Sequence, residues 1–224
     1  IVLNFKNANN AAYNGAFSYP RGGAMQYVNE VVNQLCTQNI RTGCNVVAIK
    51  LKEKKVVLQS GEELHYDNLI STMPFPQLLQ MAGVEYDKQN YSWNQVLVFN
   101  LGFDRPGPNN TSHWLYFPEK KYSFYRVGFY NNILGQTNTS LYVELGFDHQ
   151  AKINADAWLE VVLKDLITAG CVSNDQLLVD YQTLVMNPAY VHITDVSMKD
   201  VEAKKLLLAK YGVYSIGRYG SWTY

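Results

Sequence analysis

Met25, Val28, Val31, Val32 and Leu35 recur three and four positions apart in AMQYVNEVVNQLCTQN, which lays them on one face of a helix. YPRGG precedes that stretch and reads as a turn. Its glycine pair allows close approach to the backbone, and the first-turn N–H groups of the helix behind it are free for a ligand. The period then changes. VVAIKL and KVVLQ are β-rich runs on either side of KEK, and SGEE turns the chain into LHYDNLISTMP. We read these as a three-stranded meander ending in a Ser-Thr-Met-Pro loop. FPQLLQMAG follows as a short helix closed by Gly83.

Further along, strand-like runs recur at WNQVLVFNLGFD (93–104), WLYFPE (114–119), FYRVGFYN (124–131) and SLYVELGF (140–147), broken by Pro, Gly and Asn turns. NADAWLEVVLKDLITAG (154–170) has helical spacing, with Asn154 or Asp156 at its start and Gly170 at its end. QLLVDYQTLVMNPAYVHIT predicts one more strand and a proline-marked turn. KDVEAKKLLLAKYG predicts a short helix, and VYSIGRYG a returning strand. The fold class is α+β, a mixed and mostly antiparallel sheet with helices packed against it.

Composition narrows the function. Nineteen Lys and Arg balance nineteen Asp and Glu, which argues against a nucleic-acid surface and leaves any anion to a few local arginines. The 17 tyrosines offer rigid apolar faces with hydroxyls, suited to sugars and bases, though most fill half-exposed strand positions. Cys36, Cys44 and Cys171 are odd in number and lack CxxC spacing. They read as buried free thiols in a reducing, cytoplasmic setting, where the sequons at Asn90, Asn109, Asn110 and Asn138 carry no meaning. No apolar run is long enough to span a bilayer. His65, His113, His149 and His192 are scattered without metal-ligand spacing, and most acidic residues read as helix faces and caps.

With these segments placed, the chain resembles the flavin amine oxidase and protoporphyrinogen oxidase superfamily, and within it the UDP-galactopyranose mutases. YPRGG before a helix and YDNLISTMP are generic to the superfamily. WLYFPEKKYSFYRV, NPAYVHI and GRYGSWTY, in that order, are more specific. The resemblance implies FAD as cofactor and a discontinuous flavin-binding domain. No GxGxxG is present, and the abrupt IVLNFKN and GRYGSWTY ends fit a central fragment of a longer protein. By this resemblance, residues 1–77 are part of the FAD-binding domain, 78–205 a substrate-binding domain, and 206–224 the return to the flavin. The fragment alone is not expected to hold FAD tightly or to turn over.

The activity implied is interconversion of the pyranose and furanose forms of a UDP-sugar for polysaccharide assembly, with reduced flavin as nucleophile and no catalytic side chain. Arg126 and Arg218 are then the candidate diphosphate clamp, and Trp114, Tyr116, Tyr190 and Tyr224 match positions lining the substrate pocket. Gly22, Gly23, Thr72, Met73, Pro74, Gly217, Gly220 and Trp222 match the flavin side. Without the resemblance, each arginine reads as partnered by a structural carboxylate or carbonyl, and each aromatic as packing. Two other functions stay open: a flavin oxidoreductase of amine oxidase or protoporphyrinogen oxidase type, and a carbohydrate- or nucleotide-binding module without catalysis.

Overall fold

The computed structural model describes residues 17–223. Its elements run α1 (Ala24–Asn33), β1 (Val46–Lys50), β2 (Lys55–Leu58), β3 (Glu63–His65), β4 (Leu69–Ser71), α2 (Phe75–Met81), β5 (Ser92–Phe103), β6 (Trp114–Tyr116), β7 (Arg126–Phe129), α3 (Tyr130–Leu134), β8 (Ser140–Asp148), α4 (Ala155–Thr168), β9 (Leu178–His192), α5 (Asp195–Ala209), β10 (Val213–Ser215) and α6 (Gly217–Gly220). The α+β class holds.

The main sheet has five strands in the order β6-β7-β8-β5-β9, and every neighbouring pair is antiparallel. Interior β5 is buried along most of its length, as its near-continuous apolar run requires. Its odd-numbered residues Leu97, Phe99 and Leu101 join Leu141, Val143 and Leu145 of β8 in a core closed by Val162 and Leu166 of α4. Asp156 lies in the first turn of α4, where the helix dipole favours a carboxylate, and Gly170 follows its end at φ 70°.

The opposite, even-numbered face carries the polar and aromatic residues. Opposed residues of adjacent strands share a face, so Tyr116, Arg126, Glu144 and Val98 form one row across the sheet and Trp114, Gly128, Tyr142 and Asn100 the next. Tyr142 lies flat across Gly128. A Cβ there would fall 2.1 Å from its Cε1, so only glycine leaves room for the ring.

A second core gathers Phe75, Leu78, Leu79, Tyr91, Leu208 and Trp222 beneath a two-stranded parallel pairing of β10 with β4. Helix α5 enters it with a capping box: Thr194 Oγ1 accepts from Ser197 N at 3.0 Å, and Ser197 Oγ accepts from Thr194 N at 3.0 Å. By contrast, α1 has the apolar spacing expected of it, yet none of its residues is buried.

Several local expectations are corrected. The run LHYDNLIS is two strands: β3 completes the meander, whereas β4 leaves it to pair with β10. Tyr130 and Asn131 open a short helix and do not extend β7. The Asn187–Pro188 bond is cis and lies inside β9. The chain does not turn there but bulges, so that the five residues of β9 from Met186 to Tyr190 span the three of β5 from Asn94 to Val96, and both tyrosine and methionine keep to the even face. The strand read in VYSIGRYG ends at Ser215, and Arg218 sits in a helical turn.

The cysteines are free, but only Cys171 is buried; Cys36 is exposed and Cys44 intermediate. Burial pushes the Cys171 thiol up to about 11. Iodoacetamide at pH 8 is therefore expected to alkylate Cys36 in the folded protein and to spare Cys171 until denaturant is added. Equal labelling rates for the two would contradict this placement.

Candidate functional site

Arg126 is the first residue of β7 and lies opposite both Tyr116 and Glu144 in the sheet. Its Nη2 donates to Glu144 Oε1 at 2.5 Å and makes a long contact of 3.4 Å to the Tyr190 hydroxyl, while Nη1 reaches the Tyr116 hydroxyl at 3.4 Å. The guanidinium also lies against the Tyr116 and Tyr142 rings, 5.8 and 6.0 Å from their centroids. Its Nε–H is buried and has no hydrogen-bond partner among the described residues. Burial works against the Arg126 charge, but the hydrogen bonds it donates to Glu144 and Tyr116 outweigh it and hold the group firmly protonated.

Glu144 is 5% exposed. Its second oxygen accepts from the Tyr125 hydroxyl. Burial, and then that carboxylate, push the Tyr125 phenol well above its ordinary range, so it stays protonated and donates. Burial likewise raises Tyr142 and Tyr130, and the Tyr130 hydroxyl donates to Asn100 Oδ1 at 3.1 Å.

Arg218 arrives from the other end of the chain. Its guanidinium carbon is 5.1 Å from the centroid of the Tyr190 ring and 5.9 Å from that of Tyr219, whose hydroxyl donates to Ala189 O at 3.2 Å. Tyr190 thus meets Arg126 through its hydroxyl and Arg218 through its ring. The structure brings Trp114, Tyr116, Arg126, Tyr190 and Arg218 to one side of the five-stranded sheet; Tyr224 lies outside the described residues.

The turn that bears Arg218 follows β10, and Thr72, Met73 and Pro74 follow its parallel neighbour β4. Ile216 N donates to Ser71 O at 2.9 Å, so both segments leave the carboxyl ends of the parallel pair side by side. Open α/β sheets bind cofactors at such edges. Gly217 has φ 77° with no atom within 4 Å of a would-be Cβ, which leaves its backbone approachable. Gly220 is packed instead: a Cβ would meet Ser215 Oγ at 2.8 Å and Ser71 O at 3.2 Å. Gly23 has φ 86° and open space, and Gly22 N donates to Gln26 Oε1 at 3.1 Å. Phe17, just upstream, places its ring 5.1 Å from that of Trp114. Trp222 is 2% exposed and packs in the second core, edge-to-face with Tyr91 and Trp93, so its ring presents no free surface.

Glu144, Tyr125, Tyr142 and Gly128 were not singled out from the sequence. A lone acid in the apolar strand YVELGF was the available signal. Glu144, buried in β8, is an exception to the reading of most acidic residues as helix faces and caps. Among the described residues no group of three or more His, Cys, Asp or Glu could hold a metal ion, and no helix is long and apolar enough to cross a membrane.

A family model described as flavin containing amine oxidoreductase matches residues 6–179. The chain belongs to that family. Membership implies a flavin cofactor, and the open glycine backbone at the carboxyl edge of β4 and β10 fits one. Among solved structures, the fold is similar to that of a reduced UDP-galactopyranose mutase (TM-score 0.82, 24% identity, 92% of this chain and 47% of that one). It is also similar to a protein from Exiguobacterium sp. 255-15 named "Putative protoporphyrinogen oxidase" (TM-score 0.73, 16% identity, 89% and 47%), and to a CLA-producing fatty acid isomerase from P. acnes (0.59, 14%, 89% and 49%). The chain spans about half the length of these structures.

Proposed function

We propose that this chain supplies the substrate face and one flavin-facing edge of an FAD-dependent enzyme that interconverts the pyranose and furanose forms of a UDP-sugar. The observation that carries this reading is the meeting of Arg126 and Arg218 on Tyr190. Two guanidinium forks on one tyrosine suit a diphosphate, whose oxygens take charge-assisted, bidentate hydrogen bonds. The orphaned Nε–H of Arg126 and its long contacts to Tyr116 and Tyr190 leave donor capacity for an incoming anion.

In this reading residues 78–205 bear the substrate, and the segments up to 77 and from 206 serve the flavin. The parallel pairing of β4 with β10 supports that division, since it joins the two flavin segments across the intervening sheet. Flavin, when bound, supplies the nucleophile at the sugar's anomeric carbon. The residues of this chain hold and screen: Arg126 and Arg218 grip the diphosphate and stabilise its charge as it leaves, Tyr190 spaces the two guanidiniums, and Trp114 and Tyr116 cover the nucleoside or sugar with apolar ring faces. Thr72–Pro74 and Gly217 border the flavin.

The family name also allows oxidation of an amine. A protonated amine would face two guanidiniums on this surface, and the acid beside Arg126, Glu144, is buried and already engaged by Arg126 and Tyr125. An anionic substrate is the better match.

The test is titration of the full-length protein, flavin reduced, with UDP and with uridine. UDP is expected to bind at least tenfold more tightly than uridine. Each charged hydrogen bond contributes about 1.5–3 kcal/mol, so Arg126→Ala or Arg218→Ala is expected to weaken UDP binding by about 10- to 100-fold. Absence of UDP binding, or unchanged affinity in both variants, would refute the assignment.

A further inference from the structure

The geometry points to Glu144 and Tyr125 as positioning residues that hold the Arg126 guanidinium ready for its anion, acting through their hydrogen-bonding shape and not through the carboxylate's charge. The inference rests on the diphosphate reading of the site and adds to it the device that presets the clamp.

Arg126 is a long side chain that many rotamers could place, and fixing it before the ligand arrives removes an ordering cost from binding. Glu144 is its cross-strand partner and takes Nη2 at 2.5 Å. The carboxylate is held in turn. Tyr125 N donates to the Glu144 backbone oxygen at 3.1 Å, and the Tyr125 hydroxyl donates to the other carboxylate oxygen. The Tyr125 ring lies over Gly146, where a Cβ would come 3.8 Å from it. This relay occupies one edge of the guanidinium and leaves the Nε–H without a partner among the described residues. The negative charge itself opposes an incoming phosphate. A neutral amide in its place could still accept from Arg126 through its oxygen while its NH2 donates to the Tyr125 hydroxyl oxygen.

The experiment measures UDP dissociation constants and melting temperatures for the full-length protein and for Glu144→Ala, Glu144→Gln, Tyr125→Phe and Arg218→Ala. Glu144→Ala is expected to weaken UDP binding tenfold or more. Glu144→Gln is expected to stay within threefold of the parent or to bind more tightly, and Tyr125→Phe to lose threefold or more. A purely structural role would lower melting temperatures and leave the affinity of the folded protein unchanged, which would overturn the proposal. Equal losses in the Ala and Gln variants would overturn it too, by showing that the charge is what matters. If Glu144→Ala does not fold, Glu144→Gln and Tyr125→Phe decide: an unchanged affinity for Tyr125→Phe, or a tenfold loss for Glu144→Gln, overturns it. Arg218→Ala separates this idea from the one beneath it. Weakened UDP binding there, with none in the Glu144 and Tyr125 variants, sinks the relay alone; no effect there and no UDP binding by the parent sink the diphosphate reading itself.

Discussion

Arg126→Met is expected to destabilise the protein by about 3–5 kcal/mol, because it leaves the Glu144 carboxylate buried without its cation. The penalty belongs to the stranded charge and not to the pair. Glu144 is buried and Arg126 is partly so, and desolvation offsets much of their attraction. Replacing the whole polar cluster, Arg126→Met with Glu144→Leu and Tyr125→Phe, is therefore expected to recover most of the loss, to within about 1 kcal/mol of the parent. Denaturant midpoints of the single and triple variants check this. A single variant as stable as the parent would mean that Glu144 is not buried as described. A triple variant no better than the single would mean that packing, not charge, sets the cost.

Trp222→Ala is expected to cost a similar 3–5 kcal/mol, and its consequences reach the site. The ring is 2% exposed and makes edge-to-face contacts with Tyr91 at 5.4 Å and Trp93 at 5.9 Å between centroids. The turn bearing Arg218 is closed by Trp222 N donating to Tyr219 O at 3.2 Å and Thr223 N donating to Arg218 O at 3.1 Å. Emptying the Trp222 pocket removes the anchor of that turn, so UDP affinity should fall together with stability. The indole Nε1–H is buried without a partner among the described residues. Trp222→Phe sheds this orphaned donor and should cost only about 1 kcal/mol, since the unmet donor is itself unfavourable. Thermal melts and UDP titrations of both variants test the point, and a Trp222→Ala protein of parental stability would contradict it.

The parts legible in the sequence are those whose signal is local. Strands β5 and β8 carry long β-rich runs, and α4 shows helical spacing with an Asp and a Gly at its ends. β4 is different. Its partner β10 lies near the far end of the chain, and three residues next to a meander strand carry no mark of a distant parallel pairing. The helical turn of α3 was hidden for a related reason: YNNIL continues an aromatic strand and is too short to show a period. The bulge in β9 hid behind its proline, which reads as a turn in any local analysis.

The site shows the same division. Trp114 and Tyr116 share a face by simple alternation, whereas nothing in their spacing says that Arg126 and Arg218 meet on Tyr190; only the resemblance suggested it. Glu144 could have been noticed as an acid in an apolar strand, but its partners Tyr125 and Arg126 become evident only once β7 and β8 are in register.

A crystal structure of the full-length protein with UDP tests the central claim most directly. The diphosphate should lie between Arg126 and Arg218 on the even-numbered face of the five-stranded sheet, with guanidinium nitrogens about 2.7–2.9 Å from its oxygens and the Tyr190 hydroxyl beside them. A diphosphate bound elsewhere, with the two arginines still resting on Tyr190, would contradict the account.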